Sequence, residues 1–186
     1  MSTTENLEDS IDGFCSYFEA QVSEIAALQS KHSELYRKLL FVGMLDSLAG
    51  AVMPKRSNKE RFTCFIRQFC RWRDGDRVSL PHLVQLLRKN PDPAFGKLRK
   101  WALAKYDQLP VHSGSLMPIA HDPSFDDVKR EWPGSSEHRT PIEGIDLAAL
   151  THINLLYTYR NALVHELRML GYGMDFTGNC TGPYYH

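Results

Sequence analysis

The chain has 186 residues, 42% of them apolar and 24% charged, which suits one compact domain rather than two. Ten prolines and twelve glycines exclude a collagen-like or wholly disordered chain, and no run approaches the roughly 20 apolar residues that cross a bilayer. Its 22 basic and 22 acidic side chains cancel, which argues against a protein living by non-specific binding to duplex nucleic acid.

The first helix is expected over 11–28, capped by Asp9 or Ser10, with Ile11, Phe14, Phe18, Val22, Ile25 and Leu28 at helical spacing. Lys31, His32 and Ser33 interrupt it. A second helix runs from about Ser33 to Val52 and is ended by Pro54. Gly43, Ser47, Ala49, Gly50 and Ala51 predict close approach to its later half, and Asp46 is an acid inside an apolar stretch. Asn58 caps a third helix from Lys59 to about Trp72 that buries Phe62, Phe65, Ile66 and Phe69. Asp74, Gly75 and Asp76 form a turn, and Ser79 with Pro81 opens a short fourth helix to about Lys89. Asp92 and Pro93 start a fifth, which ends near Tyr106.

Residues 107–140, with prolines at 110, 118, 123 and 133, read as a functional or mobile loop holding one helical turn near Asp126–Glu131. The last long helix begins between Thr140 and Asp146 and runs to Leu170, with Gly171 as its C-cap. Residues 172–186 form a loop or short hairpin. The prediction is thus a single all-α domain over 1–186, with about five or six helices and a long irregular loop before the last.

Neither cysteine nor histidine spacing predicts a metal site or cofactor. Cys15, Cys64, Cys70 and Cys180 are scattered, and His112, His121, His152 and His165 form no ligand motif. The opening residues carry Glu8 and Asp9 where a secretory signal would carry positive charge, so the expected location is cytoplasmic, without membrane contact.

The neutral total conceals three blocks. Residues 1–54 hold three bases and eight acids, 55–105 fourteen bases and four acids, and 106–186 five bases and ten acids. The middle block either presents a cationic face that attracts phosphate or is balanced by the acidic ends of the same fold.

The chemical signal lies in the last helix. At roughly 100° per residue, Arg160 falls in the middle of the stripe made by Ile153, Leu156, Val164 and Leu167. A guanidinium cannot shed its charge there, so it needs a carboxylate, backbone acceptors or a phosphate. Asp46 is one candidate carboxylate. Asn154, Thr158, Asn161, His165 and Arg168 form the polar stripe, on which Asn161 and His165 are four apart and can touch. Arg160 and His165 diverge by about 140° on this wheel, so a cleft between packed helices, or between two copies of the chain, is expected to unite them. Histidine can move a proton near neutrality and arginine can hold non-bridging phosphate oxygens, the two needs of metal-independent RNA cleavage. The alternative for Arg160 is a buried salt bridge, and for His165 a surface histidine paired with Asn161, Glu166 or a neighbouring acid.

Arg160-Asn161-Ala162-Leu163-Val164-His165 resembles the signature of the HEPN superfamily (higher eukaryotes and prokaryotes nucleotide-binding): arginine, a polar residue, then histidine after a gap of four to six, here four. The resemblance implies an all-α fold and a homodimer whose motif helices form a shared cleft. It also implies metal-independent endoribonuclease activity, often as a toxin or host-defence effector with an antitoxin or defence-system partner. Arg160 and His165 would be the catalytic pair and Asn161 its polar support, while Asp46 is assigned from the sequence as a supporting acid. Some related toxins carry a tyrosine two positions after the histidine that is modified to silence them; Leu167 stands there in this chain. Other members are inactive and serve as protein- or nucleotide-binding modules.

Overall fold

A computed structural model describes residues 3–109, 117–134, 140–167, 174–175 and 184–185. Seven α-helices make up the fold among them: α1 (Thr3–Ala27), α2 (Ser33–Val52), α3 (Asn58–Phe69), α4 (Leu80–Lys89), α5 (Gly96–Tyr106), α6 (Phe125–Glu131) and α7 (His152–Glu166). Three two-residue strands, β1 (Met117–Pro118), β2 (Met174–Asp175) and β3 (Tyr184–Tyr185), pair antiparallel in the order β1-β3-β2. They are too short to alter the all-α class, and β2 with β3 forms a short hairpin of the kind expected near the C-terminus.

Local chemistry explains most boundaries. Ser57, rather than Asn58, caps α3 in a reciprocal box with Glu60. Hydrogen bonds from the Ser57 hydroxyl and backbone hold the Glu60 carboxyl below its ordinary value. Ser79 caps α4, whose Leu80, Leu83, Val84 and Leu87 recur on one face and are all buried. Asp92 caps a 3-10 turn, Pro93–Phe95, and α5 follows it at Gly96.

Several sequence expectations are corrected. α1 begins at Thr3, so Asp9 and Ser10 are interior to it, and Ile11, Phe14 and Val22 are exposed whereas Ile25 is buried. Phe69 ends α3 half exposed, as the chain turns away before Trp72. No neighbour approaches Gly43, whereas Gly50 is met by the Arg61 guanidinium. Seven helices replace five or six, since the single turn expected near 126–131 is a capped helix, α6. Within the described part of 107–140, Ile119, Asp122, Val128 and Trp132 are buried. α7 stops at Glu166, with Leu167 in the left-handed conformation at φ 49°, short of Leu170. The predicted cap Gly171 and the residues Cys180, His112 and Arg168 lie outside the described residues.

The core has two parts. The larger joins α4, α5 and α6 around Leu83, Leu87, Phe95, Leu98 and Val128. The smaller joins α3 and α7 through Phe62, Ile66 and Ile153, with Leu45 of α2 and Trp72, Leu156 and Tyr157 packed against it. α7 enters this second cluster on backbone hydrogen bonds, His152 N–H to the Arg77 carbonyl (3.1 Å) and Ile153 N–H to the Gly75 carbonyl (2.9 Å). Those carbonyls satisfy two amides that Thr151, which makes no side-chain cap, leaves open. Gly75 is required at this crossing, because a Cβ would stand 2.7 Å from Ile153 Cγ1.

Candidate active site

α2, α3 and α7 converge on Asp46. Arg160 points from α7 into the apolar face, as its wheel position requires, and is 7% exposed. Its Nη2 donates to Asp46 Oδ2 at 2.6 Å, and its Nη1 donates to Asn161 Oδ1 at 2.9 Å. The same Nη1 lies 3.4 Å from His165 Nε2. The Tyr157 ring, 5.9 Å from the Arg160 guanidinium carbon, adds a cation–π contact. All four residues predicted for the site, Asp46, Arg160, Asn161 and His165, are therefore contiguous within one chain.

One geometric expectation changes. The wheel separated Arg160 from His165 and called for a cleft between helices or a second copy; the long arginine side chain closes that gap along its own helix. Leu167, placed in the apolar stripe by the wheel, is exposed, since the helix has already ended. His165 stands in that last turn, exposed to solvent. Arginine has no acceptor, so a hydrogen bond here runs from Arg160 to an unprotonated Nε2, the form of imidazole able to take a proton.

Arg61 of α3 is the member that sequence reasoning missed. Its Nη2 is 3.7 Å from Asp46 Oδ2. The only sequence signal for it was membership of the basic block. That block is partly balanced inside the fold: Arg67 pairs with Asp76, Arg77 with Asp74 and Lys97 with Glu131, while Arg99 donates to the carbonyls of Leu87, Asn90 and Asp92.

Asp46 has two cations and Arg160 has one carboxylate, which predicts unequal costs. Asp46→Ala leaves two guanidiniums facing each other and is expected to cost about 3 kcal/mol. Arg160→Met leaves Asp46 paired with Arg61 and is expected to cost less. Urea unfolding of the two variants checks the order, and a larger loss for Arg160→Met would contradict it.

A second polar centre, also missed, fixes where α7 begins. Asp122 and His152 are each 1% exposed, with His152 Nε2 2.9 Å from Asp122 Oδ2, and Asp122 Oδ1 accepts from the Leu80 amide at 3.1 Å. His82 Nδ1 is 2.6 Å from the Ser79 hydroxyl. Burial pushes the His82 imidazole below its ordinary 6.5; His152 adds to the shift and Asp122 opposes it. A histidine lowered in the folded state is protonated first in the unfolded chain. Stability from His82 is then complete above about pH 6.5 and is lost as pH falls toward the folded value. The melting temperature of His82→Asn should fall less steeply than that of wild type between pH 7 and pH 5, on the order of one histidine's titration; parallel curves would contradict this.

A separate cleft of about 360 Å³ lies beside α5, α6 and residues 121–124, and none of the four predicted site residues lines it. Among the described residues no group of three or more His, Cys, Asp or Glu side chains could hold a metal ion, and no helix is long and apolar enough to cross a membrane. Comparison with known proteins finds no matching family model, no matching curated protein and no matching solved structure.

Proposed function

We propose that this protein is a metal-independent endoribonuclease of the HEPN type that cleaves RNA by attack of the 2′-hydroxyl. The observation that carries this reading is the 3.4 Å approach of Arg160 Nη1 to His165 Nε2, at the exposed end of α7 and beside Asn161. His165 accepts the 2′-hydroxyl proton, O2′ bonds to phosphorus, and the bond from phosphorus to O5′ breaks. O5′ takes a proton from water, leaving a 2′,3′-cyclic phosphate and a 5′-hydroxyl. Asn161 and Arg160 orient the imidazole, and Asp46 holds Arg160. The substrate is single-stranded or loop RNA, because the 2′-hydroxyl must swing in line behind the phosphate. A role as a toxin or host-defence effector in the cytoplasm belongs to the same proposal. So do a homodimer through α7 and an antitoxin or defence-system partner; the resemblance supports these.

A second reading has its own observation. Arg160 is buried and already bound by Asp46, as a purely structural ion pair would be. On that reading the chain is a catalytically silent module that binds protein or nucleotide. Purified protein incubated with RNA in EDTA separates the two: cleavage with cyclic-phosphate ends, lost in His165→Ala, supports the nuclease. Equal cleavage by both proteins points to a contaminant or to another site, and cleavage by neither supports the silent module.

A further inference from the structure

The Asp46 cluster carries more positive charge than it neutralises. Arg160 and Arg61 both address the same oxygen, Oδ2, and neither guanidinium can lose its proton. Asp46 Oδ1, Arg160 Nε and Arg61 Nε are buried without a hydrogen-bond partner, so the cluster is incomplete as it stands. The Arg160 side chain is 9% exposed and committed: Nη2 to Asp46, Nη1 to Asn161 and against His165. Arg61 differs on each count. At 3.7 Å its contact with Asp46 is an ion pair too long for a hydrogen bond, and a quarter of its side chain, 25%, is open to solvent. It lies across α2 at Gly50, where a Cβ would be 3.7 Å from the guanidinium carbon.

We propose that Arg61, rather than Arg160, is the arginine that contacts phosphate in this site, with a phosphodiester of single-stranded RNA as the anion that offsets the surplus charge. Arg160 is then a positioning residue that holds Asp46 and His165. The ligand rests on the ribonuclease reading; the charge surplus does not. A guanidinium offers two parallel donors to the non-bridging oxygens, and the loose Asp46 contact lets it turn to meet them.

The test measures binding apart from cleavage. A short fluorescent RNA of random sequence, with every 2′-hydroxyl methylated so that it cannot be cut, is titrated in EDTA over a salt series. Arg61→Gln should bind about tenfold more weakly, with the slope of log affinity against log salt smaller by about 0.7, one phosphate contact on a single strand. Arg61→Lys should keep the slope, because it keeps the charge. Arg61→Met serves if the glutamine variant does not fold. A role confined to neutralising Asp46 would shift the melting temperature and leave the slope unchanged, and that result overturns the proposal, as does absence of binding by wild type. Wild type that binds through Arg61 but leaves unmodified RNA intact would support the phosphate contact while sinking the nuclease reading.

Discussion

His165→Ala is expected to reduce RNA cleavage about 10²- to 10⁴-fold, the usual contribution of one positioned general base, with little change in stability. The second half of that expectation is what makes the variant informative. His165 is exposed in the last turn of α7 and meets Arg160, which keeps Asp46 and Asn161 without it. The truncation leaves no cavity and no buried orphan, so circular dichroism and the urea midpoint should stay close to wild type. Arg160→Ala would be harder to read, because it also empties a buried position and strips Asp46 of its nearest partner. His165→Asn adds a control, since an amide can occupy part of the ring's space but cannot take the proton. Retention of at least half the wild-type rate by either variant would remove His165 from the chemistry.

How far the sequence exposed this arrangement depended on the range of each interaction. α2 was legible to the residue from Ser33 to Val52, and α4 nearly so, because apolar periodicity, caps and a terminating proline or polar residue act within a few positions. The burial of Arg160 was legible for the same reason, since a helical wheel is a local construction. Asp46 stood out as an acid in an apolar stretch, and the structure places it against Arg160, 114 residues later. Arg61 offered no such contrast, being one cation among fourteen in its block, and only the packing of α3 on α2 brings it to Asp46. The end of α7 was misplaced because Gly171 is the residue type expected to adopt positive φ, whereas Leu167 does so. Asp122 and His152 were beyond reach altogether, because their partnership joins the residue after a 3-10 turn to the first residue of α7, 30 residues apart, and neither has a local signature.

That partnership supports the largest stability loss expected of a polar substitution here: Asp122→Ala should cost about 3–5 kcal/mol, the penalty for removing one partner of a buried, hydrogen-bonded pair. The Asp122 carboxylate serves two elements, accepting from the Leu80 amide at the start of α4 and facing His152 at the start of α7. Its own carbonyl accepts from Arg77 Nη1 at 2.6 Å, and Pro123 beside it accepts from the Val78 amide. Alanine keeps the backbone bonds and deletes the bonds to the Leu80 amide and to His152 Nε2. Asp122→Asn should cost less, since it preserves volume and one acceptor. Urea unfolding at neutral pH would show the midpoint falling in the order wild type, Asn, Ala, with unchanged dependence on denaturant. A cost below about 1 kcal/mol for alanine would mean that backbone bonding alone holds α4 to α7. The consequence reaches the candidate site by geometry. α7 is fixed at His152 by this centre and carries Arg160, Asn161 and His165 two to four turns later, so a loosened entry would shift Arg160 against Asp46 on α2. Asp122→Ala should therefore lower cleavage even at temperatures where the chain remains folded, although Asp122 touches none of the four site residues.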